Sequence, residues 1–198
     1  MAAIDPHPGP PATSAACNPF VLKTAQYWFR IYDLACDPLY FGKAGNYRFD
    51  SPSGKYGALY AGADEYCAFI ETFGQNLGAR IITRVELGRR GLVTISIKRP
   101  LRLVDLVRSG SLARIGADSR LFAGEHDVAQ RWAEYFHTHT NNYDGIYYPA
   151  RHDPTRPACA LYDRVQADAE VLETKSLSDR SFRKVLGSIL DQYNFGLI

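Results

Sequence analysis

The feature that most limits the fold is a short apolar strand running straight into an amphipathic helix. KYGALYAG (55–62) reads as a buried strand with Tyr60 near its end. Gly62 and Ala63 lead to Asp64, a ready N-cap, because its short carboxylate can accept a bond from a helix amide that has no partner within the helix. Tyr66, Ile70, Phe73 and Leu77 then recur at helical spacing as one apolar stripe. At about 3.6 residues per turn, Glu71 falls beside that stripe, one turn after Cys67. A carboxylate at the border of a buried face can look into a pocket and be partly desolvated.

Elsewhere strands and helices mix without a regular βαβ rhythm, so the expected class is α+β. YWFRIYD (27–33) is an aromatic strand with Arg30 in its middle, and charged residues avoid such positions unless paired or used. Glycines and prolines make 37–54 a loop. RIITRVEL (80–87) alternates as a strand should; LVTISI, LRLVDL, GIYY and ACALYD are further strand candidates. Helices are expected over 127–139, with Val128, Trp132, Tyr135, Phe136 and His139 on one face, and over 178–193, capped by Ser178. A chain of 198 residues fits one domain, over 20–198, large enough to need no metal or disulfide staple. The Pro- and Ala-rich residues 1–19 lack the pattern of a signal peptide and read as a disordered tail.

Several function classes are disfavoured. A net charge of +2 is no electrostatic footprint for nucleic acid. No apolar run approaches the ~20 residues of a membrane span. Cys17, Cys36, Cys67 and Cys159 form no Cys-x-x-Cys pair, which argues against zinc and suits a reducing cytoplasm. His137 and His139 lie two apart on a helix, so they point to different sides and cannot chelate together. Neither a glycine-rich dinucleotide fingerprint nor a phosphate loop is present.

What remains is Arg30, Arg48, Tyr60 and Glu71. Two guanidiniums could bind a pyrophosphate through their planar forks of donors. Tyr60 could stack on a planar ring or donate its hydroxyl; Glu71 could bind ribose hydroxyls or face a developing positive charge. A purely structural reading stands beside this one: Arg30 and Glu71 paired in a half-buried salt bridge, Arg48 solvated, Tyr60 in the core.

GNYRFDSPSGKYGALYAGADEYCAFIETFG (45–74) resembles the first half of the RES domain. That family places an Arg before Phe or Trp, a strand ending in Leu-Tyr-x-Ala/Gly, and a helical Glu before Thr-Phe-Gly. The counterparts here are Arg48, Tyr60 and Glu71, with Arg30 matching an earlier family arginine. RPLRLVDLVRSGSLARIGAD and DGIYYPARHDPTRPACALYDR resemble the family's middle and closing strands, so the likeness spans roughly 24–165. It implies a compact fold similar to bacterial ADP-ribosyltransferase toxins, with central mixed or antiparallel sheets and flanking helices. It implies NAD as substrate, cleaved at the nicotinamide–ribose bond by water or inorganic phosphate, with no cofactor. It also implies a toxin partnered by an Xre-type antitoxin. Protein ADP-ribosylation and a catalytically weak binding module are the alternatives. The second follows from one departure: the family pattern Tyr-x-Ser-Arg reads Tyr148-Pro149-Ala150-Arg151, leaving Ala150 at a substrate-binding serine position. One lost neutral hydrogen bond costs ~0.5–1.5 kcal/mol, up to about tenfold in rate.

Overall fold

The computed structural model describes residues 8–13, 17–76 and 78–198. Eight strands build one mixed sheet: β1 (Val21–Thr24), β2 (Trp28–Asp33), β3 (Ala58–Gly62), β5 (Arg90–Ile97), β6 (Leu101–Asp105), β7 (Gly145–Pro149), β8 (Pro157–Tyr162) and β9 (Ala169–Ser176). Their spatial order is β1-β6-β7-β8-β3-β2-β5-β9. Only β6 and β7 run parallel; the other neighbours are antiparallel. Two short strands, β4 (Ile81–Ile82) and β10 (Gly196–Leu197), pair in parallel apart from it. The helices are α1 (Glu65–Phe73), α2 (Arg84–Gly88), α3 (Ser111–Ile115), α4 (Arg120–Ala123), α5 (His126–Thr138) and α6 (Arg183–Tyr193).

Period-two alternation buries both sheet faces. On β8, Ala158, Ala160 and Tyr162 join a core with Trp132 and Phe136 of α5, while Cys159 and Leu161 join a second core with Trp28, Val93 and Ile95. A third cluster packs Phe69 and Ile70 of α1 and Leu186 and Ile189 of α6 on Ile31 and Leu92. The ladder registers Phe29 with Gly62, Gly62 with Ala158 and Ala158 with Tyr148. Residues directly opposite in a ladder share a face, so the α1–α6 and α3–α5 groups cover the same side of the sheet, over different strands.

Three expectations are corrected. Residues 80–87 are not one strand: two residues of β4 precede α2, because the Thr83 side chain accepts from the Glu86 amide and caps a helix. The C-terminal helical segment is capped by Asp179, which accepts from the Ser181 amide, rather than by Ser178, and its first turn (180–182) is a 3₁₀ helix. Part of the expected tail is engaged: the Trp132 indole donates to the Pro8 carbonyl at 2.9 Å, the Tyr135 hydroxyl to Thr13 at 3.1 Å, and Cys17 is buried. Residues 1–7 and 14–16 of that tail, and Leu77 of the expected stripe, lie outside the described residues.

Candidate functional site

A cleft of about 670 Å³ opens on the shared helical face of the sheet. Its floor includes Phe29, Ile31, Tyr60, Gly62, Tyr148 and Ala158, and its walls come from α1 on one side and from Phe122 and His126 of α4–α5 on the other. That volume lies within the ~300–1,000 Å³ of ligand pockets.

One end of the cleft exists because two neighbouring strands part. β2 and β3 share a single registered pair, Phe29 with Gly62. Further along, the segment before β3 takes the place of β2: Gly42 and Ala58 exchange both main-chain bonds at 2.9 Å. Arg30 fixes this arrangement, its Nη1 donating to the carbonyls of Tyr40 at 3.0 Å and Pro38 at 3.3 Å. The anticipated Arg30–Glu71 salt bridge is therefore not the arrangement found; Arg30 lines the splayed end and holds the loop. Burial lowers its pKa from the ordinary arginine value, an effect the charge of nearby Asp37 offsets in part.

α1 can sit on β3 because Gly62 has no side chain: a Cβ there would lie 2.7 Å from the Ala68 nitrogen and from the Cys67 Cβ. The Asp64 side chain caps α1 by accepting from the Cys67 amide at 2.7 Å, and Glu71 emerges in the last turn. Its Oε1 accepts from the Arg151 amide at 2.9 Å, and the adjacent His152 amide faces the same carboxylate and favours its charged form. Burial raises the Glu71 pKa above the ordinary carboxylate value; those two amides and the charges of Arg48 and Arg151 work against that rise. The group is thus partly desolvated yet firmly oriented.

Arg48 is buried beside it, with its Nη1 donating to the Gly124 carbonyl at 2.5 Å. Burial first, and Arg151 second, lower its pKa, though an arginine so placed keeps its charge at neutral pH. The Tyr60 hydroxyl is already committed: it donates to Asp50 Oδ1 and accepts from the Phe49 amide, both at 2.9 Å. The same Asp50, nearly inaccessible, accepts from the Tyr47 amide and so ties the Arg48 loop to β3. The Tyr60 ring, not its hydroxyl, is left for the cleft, with the exposed Tyr47 ring 5.6 Å away.

Arg30, Arg48, Tyr60 and Glu71 are thus brought together. Ala150 is not: it is 0 % exposed, belongs to the core under α5 and is not among the cleft-lining residues. Its neighbours Tyr148 and Arg151 do line the cleft and were missed, as were Asp50, Tyr47 and His126. The carboxylate two residues after Arg48 was an available signal for Asp50. His137 and His139 do not meet at a metal: His137 stacks on Tyr56 with centroids 4.3 Å apart, and among the described residues no three His, Cys, Asp or Glu are grouped to hold an ion.

The arrangement suits chemistry in which cationic charge develops next to a fixed carboxylate while guanidiniums hold an anionic group. A family model for the RES domain matches residues 27–183. Among solved structures, the crystal structure of the M. tuberculosis MbcT–MbcA toxin–antitoxin complex contains a chain of the same fold, with a TM-score of 0.67 and 13 % identity, covering 84 % of this chain and 92 % of that one. No curated protein matches the sequence.

Proposed function

The chain belongs to the RES domain family, and from that premise we propose that it cleaves NAD at the nicotinamide–ribose bond, as the toxin of a toxin–antitoxin pair. The observation that carries this reading is the Glu71 carboxylate, held by the Arg151 amide with the His152 amide beside it, in a cleft that also presents Arg48, Arg30 and the Tyr60 ring.

The reaction breaks the bond between ribose C1′ and the nicotinamide nitrogen. Nicotinamide leaves with the bonding electron pair and becomes neutral, while positive charge builds on the ribose. Glu71 binds a ribose hydroxyl and stabilises that charge, as carboxylates do in glycoside cleavage. Arg48 and Arg30 hold the pyrophosphate, and Arg48 is best placed to orient an attacking phosphate near Glu71. An oxygen of phosphate or water then bonds to C1′, water giving up a proton. Tyr60 offers a ring face to the nicotinamide. Orientation and electrostatics supply the catalysis, so no protein nucleophile is required.

The structural neighbour was solved with its antitoxin, which supports a protein partner for this chain as well, of the Xre type in our reading. We place the activity in the cytoplasm, whose reducing conditions suit four unpaired cysteines; among the described residues no helix is long and apolar enough to cross a membrane. Purified protein, free of any partner, should consume NAD, and parallel reactions with and without phosphate identify the acceptor. Glu71→Ala should reduce turnover at least ~100-fold. Folded wild-type protein that leaves NAD intact in both buffers rules the proposal out; radiolabel retained on a protein band from labelled NAD indicates transfer to protein instead.

A further inference from the structure

The amides that grip Glu71 belong to a turn, and the turn is itself clamped. Residues 150–156 leave β7 and enter β8, closed by Ala150 N to Arg156 O and Arg156 N to Asp153 O, both 2.9 Å. Asp153 organises its centre. Its Oδ1 accepts from the Thr155 hydroxyl at 2.5 Å and the Thr155 amide at 3.2 Å. Its Oδ2 accepts from the Tyr193 hydroxyl of α6 at 2.9 Å. Arg156 Nε lies 3.3 Å from the same oxygen, a charge contact without hydrogen-bond geometry. Arg156 Nη1 donates to the second oxygen of Asp64, the residue that caps α1, and its guanidinium lies 4.3 Å above the Tyr66 ring. At the other end of α1, the His152 ring packs so closely on Gly74 that a Cβ there would lie 2.9 Å from it.

The start of α1, the end of α1 and α6 therefore all meet one turn, whose amides point at the carboxylate. We infer that Asp153, held by Tyr193 and Thr155, is a positioning residue that aligns the Arg151 and His152 amides on Glu71. Asp153 is not itself among the residues that line the cleft. The inference deepens the proposed NAD cleavage where turnover is measured, but its structural content is independent of it.

The readout is the ionisation of Glu71, which those amides stabilise in its charged form. The other groups that act on Glu71 are Arg48 from the loop before β3, Arg151 and His152 from the turn, Tyr148 from β7 and Cys67 on α1 itself. None of them is altered by Tyr193→Phe or Thr155→Val, which remove one hydroxyl each and no charge. Asp153→Asn is a poorer probe, because it changes the charge of the turn as well as its hydrogen bonds.

The experiment is a carboxyl ¹³C NMR titration of Glu71 in the full chain as wild type, Tyr193→Phe and Thr155→Val, with Asp144→Asn as a control for a buried, ion-paired carboxylate elsewhere. Both hydroxyl variants should raise the Glu71 midpoint by about half a pH unit, while Asp144→Asn destabilises the fold and leaves that midpoint in place. Wild-type titration of Glu71 in both folded hydroxyl variants overturns the inference, as does an equal shift in the control. In the NAD assay kcat should fall about threefold in Tyr193→Phe with KM nearly unchanged. If wild type shows no turnover, the cleavage reading fails while the titration still decides the positioning role.

Discussion

Ala150 stands where the family pattern places a hydroxyl, yet its side chain is sealed in the core beneath α5. A serine there would bury its oxygen rather than present it to the cleft. Ala150→Ser should therefore lower stability by about 1 kcal/mol, read from urea midpoints, and leave NAD consumption within about threefold of wild type. A tenfold gain in turnover would show instead that the hydroxyl reaches substrate. Arg48, Tyr60 and Glu71 were legible because one contiguous motif carries them. Tyr148 and Arg151 were not, because what they do depends on how separate segments meet; the Arg151 amide meets Glu71 across 80 positions of sequence. The Tyr60 hydroxyl shows the converse limit: the residue stands out in the sequence with two possible roles, and only the structure shows that Asp50 takes its hydroxyl and leaves its ring.

At the level of elements, the cleft depends on the loop between β2 and β3 staying inserted, and Arg30 is its anchor. Arg30→Met keeps the aliphatic stem and removes the donors. It should cost about 1.5–3 kcal/mol, as expected for hydrogen bonds made by a charged group, and should speed proteolysis within 36–48. Arg30→Lys should not restore the protected loop fully, since a single ammonium lacks the planar fork. The elements that read clearly were those with a strong apolar pattern: β2 and β8, which bury residues on both faces, and α5, with a single apolar stripe. The edge strand β9 went unread because four consecutive residues at its centre are exposed, so no alternation marks it. α2 was hidden inside an alternating run because Thr83-x-x-Glu86 is a capping signature that period-two counting ignores.

Across the whole molecule, protonation couples to folding through two half-buried histidines, His137 and His152. Burial, with the charge of Arg164, pushes the His137 pKa down to about 4, and burial with Arg151 lowers that of His152. An unfolded histidine titrates near 6.5, so below that pH the unfolded chain binds more protons than the native one. Stability from His137 is thus complete above about pH 6.5 and is lost as pH falls toward 4. Glu71, raised by burial, works in the opposite sense. Urea midpoints of wild type and His137→Gln between pH 7 and pH 4.5 isolate the histidine: the variant should lose less stability on acidification. The strand order carries a different consequence, one of timing. β3 finds its full-length partner in β8, from Ala58 with Tyr162 to Gly62 with Ala158, and the Arg151 amide that holds Glu71 comes from the turn leading into that strand. During synthesis the motif that names the family emerges early, but it stays chemically silent until the chain has grown a further eighty residues or so. A growing chain therefore carries the signature long before it carries the site, which is complete only when β7, β8 and the turn between them have joined the sheet.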